Sequence, residues 1–310
     1  MLKLIQSMAC IGFMLLLISF FMDDSVKIEA EPIVNQQEVA YPMDRLIRNP
    51  KDILSNKSYS DLRSMQYHID MGDHIIETLS SDTIASMIYQ FDHQYYIDYE
   101  KCRNYMVRLA NQYNTYDKPR LFFTSDHQDI WLVPSLSDTF KGYQLDVDAL
   151  TNQVMFDLAL GSSDTSKAIW LNKGMTLFGQ NDIGDSYFEI SIEDQHIWLY
   201  IHHQLIADAD VVTGWDHTKY ETPKGVYYVR SLNRRYYMNY DNGSSLCDYF
   251  ILITPNGIGI HDANQRVAFG GTIYKSNGSH GCINTPPDKA KLFFETLSNL
   301  KTSAIPVVIR

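Results

Sequence analysis

From Tyr187 to the end, this chain reads as a sequence of strands rather than helices. Short runs rich in β-branched and aromatic residues follow one another: Phe188–Ile192, His196–Ile201, Leu205-Ile206, Val211-Val212, Gly225–Val229, Tyr249–Ile253, Ile258–His261 and a closing run at Val307–Ile309. Residues two apart on a strand share a face, so such runs bury one side. Many short strands joined by turns imply a sandwich or barrel-like domain. Only one good helical pattern interrupts them, after Thr285, where Ala290, Phe293, Phe294 and Leu297 share a face. The expectation is a mostly β domain over residues 185–310.

The first half is mixed. Leu62, Met65, Ile69, Ile75, Ile76 and Leu79 fit a helix broken or kinked near Gly72. A second helix is expected around Asp82–Phe91 and a third over Asp98–Tyr113, with Cys102, Met106, Leu109 and Tyr113 in one stripe. Leu121–Thr124 and Ile130–Val133, separated by the polar Ser125–Asp129, read as a hairpin. Asp146–Gly161 reads as a helix with a glycine stop. Together these predict an α+β unit over residues 61–175. Its tyrosines (Tyr95, Tyr96, Tyr99, Tyr105, Tyr113, Tyr116) have the chemistry to stack on sugars, but ordinary packing is the preferred reading.

Residues 23–60 are polar and carry Pro32, Pro42 and Pro50, as a linker would. Before them, Leu4–Met22 is an apolar run preceded by Lys3 and followed by Asp23-Asp24. Its length approaches that of a bilayer-spanning helix. The charges predict an N-terminus inside and a body outside. No small-residue cleavage motif follows closely, so residues 1–22 read as a membrane helix acting as a signal anchor in preference to a cleaved signal peptide. Cys10 is then a small hydrophobe within that helix. The formal net charge is −11, from 26 Lys+Arg against 37 Asp+Glu. This argues against a nucleic-acid partner, which would call for a basic surplus.

Four cysteines are too few and too widely spaced for a disulfide framework. Cys102 sits on an apolar helical face and reads as a buried thiol; Cys247 is ambiguous, and a bridge between the two is disfavoured. Cys282 needs another reason. It lies in Gly278-Ser279-His280-Gly281-Cys282-Ile283-Asn284, downstream of Gly259-Ile260-His261-Asp262-Ala263. A thiol is mostly protonated at neutral pH and needs an imidazole or a helix N-terminus to become a nucleophile. His261 and His280 offer the first. Thr285-Pro286-Pro287-Asp288, which looks like a helix start with a capping residue, offers the second. Gly281 lets a substrate carbonyl come close to the backbone, and the N–H groups of Gly281 and Cys282 are candidates for an oxyanion hole. Zinc is the competing reading, but His261, His280 and Cys282 lack a fourth ligand at structural-zinc spacing.

The stretch Ile258–Asn284 resembles the catalytic motif of L,D-transpeptidases of the YkuD type: a histidine, a spacer, then Ser/Thr-His-Gly-Cys-x-Asn. Phe269-Gly270-Gly271-Thr272-Ile273-Tyr274 and Thr222-Pro223-Lys224-Gly225-Val226-Tyr227 are similar to further segments of that domain. Tyr249–Thr254 departs from it, being more aliphatic. The preceding unit is similar, more weakly, to a peptidoglycan-binding module.

The resemblance implies a peptidoglycan cross-linking enzyme with Cys282 as nucleophile and His261 as general acid/base. The backbone carbonyl of Asp262 would orient His261. Ser279, His280, Gly281 and Asn284 would shape the site. It implies no metal or organic cofactor, stem peptides as donor and acceptor, action outside the cytoplasmic membrane, and a monomer. An L,D-carboxypeptidase, in which water replaces the acceptor, and a non-catalytic wall-binding protein are the alternatives.

Overall fold

The computed structural model describes residues 28–29, 59–91, 93–161, 165–177, 182–240, 243–300 and 304–310. The apolar run Leu4–Met22, and nearly all of the expected linker, lie outside these. The expected fold class is corrected here. Among the described residues no helix is long and apolar enough to cross a membrane, so the N-terminal membrane helix has no support.

The C-terminal region is mostly β. One sheet has the order Gln204–Asp210, His196–Ile201, Tyr187–Ser191, Pro306–Ile309, Gly225–Tyr228. The last strand of the chain enters this sheet between two earlier ones, parallel to Tyr187–Ser191 with Phe188 opposite Val307. It runs antiparallel to Gly225–Tyr228. The second sheet has the order Ile28–Glu29, Ser231–Tyr240, Gly243–Leu252, Gly259–Asp262, Ile283–Thr285. One core joins the two sheets through Phe188, Ile190, Ile197, Leu199, Ile251, Ile253, Ile260, Ile283 and Val307. The helix Pro287–Asn299 completes it. Phe293 meets Phe188 edge to face, with ring centroids 5.4 Å apart. These residues are apolar at alternate strand positions or on one helix face, which is why they fold inward.

The first half builds its own core around Tyr67, Ile69, Leu79, Cys102, Met106, Leu150 and Val154. Helices Tyr99–Tyr113 and Val147–Leu160 begin at Asp98 and Asp146, whose carboxylates accept from the N–H groups of Lys101 and Ala149. The helix expected over Asp61–Leu79 differs. Helix ends at Ser64, and Tyr67–Gly72 and Ile75–Leu79 form a hairpin that turns through Asp73-His74 after Gly72. Tyr67, Ile69 and Met71 alternate inward, and Gly72 at φ +98° permits the turn. Likewise the second helix stops at Met87, and Ile88–Phe91 pairs with Gln94–Ile97.

The hairpin Arg120–Phe123/Asp129–Leu132 leaves that first core. Phe122 and Leu132 pack instead with Val226 and Val308 of the C-terminal sheet. At the same seam Arg120 Nε meets Asp182 Oδ1 at 2.7 Å, both side chains 1% exposed. The Glu189 carboxylate accepts from Ser125 N at 2.9 Å and from Arg310 Nε at 2.7 Å. Cys102, Cys247 and Cys282 are all free thiols.

Candidate active site

Strands Gly259–Asp262 and Ile283–Thr285 run parallel, with Ile260 opposite Ile283 and His261 opposite Asn284. Alternation sends Ile260 and Ile283 into the core and leaves His261 and Asn284 together on the other face. Cys282 stands two residues before Asn284.

The imidazole of His261 is held from both ends. Nδ1 lies 2.8 Å from the backbone oxygen of Asp262, and Nε2 lies 3.0 Å from Asn284 Nδ2. A carbonyl oxygen only accepts, so Nδ1 carries the proton. The carboxylate of Asp262 is turned elsewhere: Oδ1 accepts from Tyr249 N at 2.7 Å and Oδ2 from Asn264 Nδ2 at 2.9 Å. The ring of Phe250 lies nearly parallel to the imidazole, 21° from coplanar with centroids 5.8 Å apart. Burial lowers the pKa of His261 below its ordinary value, and the hydrogen bond to the Asp262 carbonyl opposes that.

The Cys282 sulfur makes its hydrogen bond to Gly257 O at 3.9 Å, not to His261. Burial pushes its thiol up to about 11. Both shifts favour the uncharged forms.

The loop before Cys282 is fixed by backbone bonds. Ser279 N donates to Thr213 O at 2.9 Å, and Trp215 N to Ser279 O at 3.0 Å. The Ser279 hydroxyl donates to Cys282 O and accepts from Gly281 N at 3.0 Å. This revises the expected oxyanion hole, because the Gly281 N–H is already engaged. Thr222 Oγ1 donates to Gly281 O and accepts from Gly214 N, both at 2.8 Å. His280 is exposed, its ring edge on to Tyr220 with centroids 4.5 Å apart. The expected cap at Thr285 does not form. Thr285 is fully buried at the end of its strand and donates to Ile283 O at 3.2 Å, and the helix starts after Pro286.

Gly281 has φ +114°, and a Cβ there would lie 3.3 Å from Ile258 Cδ1. Gly281→Ala should therefore cost about 1–3 kcal/mol of stability from backbone strain. Urea unfolding would measure it, and an unchanged midpoint would contradict the strain.

Ser279, Gly281, Cys282, Asn284, His261 and Asp262 thus meet around one sheet edge, with His280 at its rim. Three further contributors carry no obvious sequence signal: Thr222, Phe250 and Arg266. Arg266 Nε donates to Asn284 Oδ1 at 2.7 Å, and Nη1 to Asn277 O at 2.9 Å. Thr222 belongs to the Thr-Pro-x-Gly segment that carries the resemblance, and Phe250 to an expected strand that departs from it. Among the described residues, the one group whose ligand atoms converge as for a metal is Asp216, His217 and Glu221, on a loop outside this cluster; His261, His280 and Cys282 do not converge.

A family profile described as the L,D-transpeptidase catalytic domain, YkuD, matches residues 185–309. A cysteine-to-serine mutant of Enterococcus faecium L,D-transpeptidase is 25% identical, with a TM-score of 0.64, over 81% of this chain and 98% of that one. An avibactam carbamoyl form of the enzyme called Ldtfm gives the same identity and score, over 81% and 96%. The catalytic domain of E. faecium L,D-transpeptidase acylated by ertapenem is 34% identical over 41% of this chain and 97% of that one, with a TM-score of 0.35. No curated protein matches.

Proposed function

Residues 185–309 are a catalytic domain of the YkuD L,D-transpeptidase family, and from that premise we propose that the chain forms 3→3 cross-links in peptidoglycan through a thioester on Cys282. The observation that carries this reading is the pairing of His261 against Asn284, which sets an oriented imidazole on the strand beside the one that Cys282 leads into.

In this mechanism Nε2 of His261 takes the proton from Cys282. The thiolate attacks the carbonyl of the third residue of a tetrapeptide stem, and the bond to the terminal D-Ala breaks. His261 gives its proton to the departing amine. The side-chain amine of a second stem then attacks the thioester, the C–S bond breaks, and the amine proton returns through His261 to the sulfur. The Cys282 N–H is the oxyanion donor. The Gly281 N–H joins only if Ser279 Oγ releases it. Asp262 acts through its carbonyl, and Ser279, His280 and Asn284 keep the loop in place. No step requires a cofactor. The enzyme acts as a single chain in the cell envelope, and residues 61–175 hold it to the wall polymer.

One test uses a carbapenem, since the same attack on a strained amide would trap the enzyme. Intact mass should rise by the mass of the drug in the wild type and stay unchanged in Cys282→Ala. An equal gain on the variant would move the nucleophile elsewhere.

A further inference from the structure

The side-chain amide of Asn284 has a fixed orientation, and the reason is Arg266. The guanidinium Nε–H of Arg266 can only donate. The atom it meets at 2.7 Å must therefore be the amide oxygen, Oδ1. That leaves the amide nitrogen, with its two protons, facing His261 Nε2 at 3.0 Å. Nε2 must accept, so the ring is neutral with its proton on Nδ1, the same answer that the Asp262 carbonyl gives from the other side. Two independent donors or acceptors, one at each end, select a single tautomer.

We propose that Arg266 is a positioning residue which, by clamping the Asn284 amide, holds His261 neutral and keeps the resting site as a thiol beside an imidazole rather than a thiolate beside an imidazolium. An imidazolium would place an N–H against the amide N–H₂ of Asn284. Relief requires the amide to turn and offer Oδ1, which breaks its charge-assisted bond to Arg266. The proton on Cys282 therefore moves only when substrate binding displaces or turns Asn284. This inference rests on the proposed roles of His261 and Cys282.

Burial is the largest influence on the ring and favours its neutral form, while the Asp262 carboxylate works against this and Arg266 works with it. The Asp262 carboxylate is committed to Tyr249 N and Asn264, away from the imidazole. Arg266 lies within electrostatic range and disfavours a second positive charge. No carboxylate pairs with Arg266 among the described residues, whereas Nη1 is anchored on Asn277 O at 2.9 Å, so the guanidinium is held by neutral oxygens. Cys247, near Asp262 and Cys282, is buried and pushed up to about 12, and adds no charge. Among the described residues, Arg266 is the ionised side chain that reaches the ring through a continuous chain of hydrogen bonds.

The test is nitrogen-15 NMR of the histidine rings in the full chain, with iodoacetamide kinetics on Cys282 across pH. In the wild type at neutral pH, His261 should show a protonated Nδ1 and an unprotonated Nε2. An Nε2–H tautomer or an imidazolium would overturn the proposal without any variant. In Arg266→Met, which removes the clamp and the charge, His261 should titrate higher and the alkylation rate at pH 7 should rise about tenfold, the equivalent of one pKa unit. Arg266→Lys, which keeps the charge but not the planar donor, should fall between the two. Identical alkylation profiles in all three would also overturn it. Neither readout uses transpeptidation, so a failure here is separable from failure of the enzymatic reading, which rests on Cys282→Ala.

Discussion

Cys282→Ala is expected to remove D-Ala release and dimer formation together, a loss on the order of 10⁴-fold or more, the range seen when a covalent nucleophile is deleted. Fold should survive. The side chain is small and only part-buried, and its contact to Gly257 O is long, at 3.9 Å. A melting curve within error of the wild type, with no turnover, is the expected pair of results. Residual activity above a few per cent would assign the chemistry to another group. His261→Gln should cost less, about 10²–10⁴-fold, because it removes proton transfer while leaving the nucleophile in place.

The largest effect on stability is expected at the seam between the two halves. Arg120 and Asp182 are an ion pair with both side chains 1% exposed, and Arg120 also donates from Nη2 to Phe140 O at 3.0 Å. Asp182 accepts in addition from the Thr115 hydroxyl. Arg120→Met keeps the length of the side chain but leaves the Asp182 carboxylate enclosed with only a hydroxyl donor. Breaking a buried pair from one side costs about 3–5 kcal/mol. Replacing both, Arg120→Met with Asp182→Leu, should recover much of that, because the uncompensated charge goes with the partner. Urea denaturation of the two variants would read this. A single variant costing under about 1 kcal/mol would mean that water reaches the site.

The consequence reaches beyond stability. Phe122 and Leu132, on the hairpin that Arg120 opens, fill the same cluster as Val226 and Val308 of the C-terminal sheet. Gly225–Tyr228 follows directly on Thr222, whose hydroxyl holds the backbone of Gly214 and Gly281. Loosening the seam is expected to lower turnover modestly through that loop, while the Cys282 thiol stays accessible.

How far the sequence foretold this molecule depends on what each signal measures. Asp98 and Asp146 at helix starts and Gly161 at a stop are local chemistry, and those helices lie where periodicity and capping put them. The hairpin at Tyr67–Leu79 reads as helix from sequence because Leu62, Met65, Ile69 and Ile76 happen to satisfy helical spacing. The strand pairing that overrides it is visible only when Thr165–Lys167 arrives in parallel from far along the chain. Ser231–Tyr240 gives no strand signal because its middle residues are polar or exposed, and its pairing with Gly243–Leu252 holds it as a strand. Spacing between His261 and Cys282 is a chain-level signal, so the main residues of the candidate site are legible in the sequence. Arg266 is not. It lies in a polar turn where an arginine means nothing until Asn284 is seen to receive it. The Gly281 N–H shows the converse, since the sequence says that glycine is needed but not that a neighbouring hydroxyl already occupies its amide.

The most direct measurement is to incubate the full chain with a purified tetrapeptide stem and follow it by mass spectrometry. Free D-Ala should appear in step with dimers that lack one D-Ala, through a transient species in which Cys282 carries the shortened stem. Stems recovered intact, with no mass added to the protein, would contradict acyl transfer at Cys282.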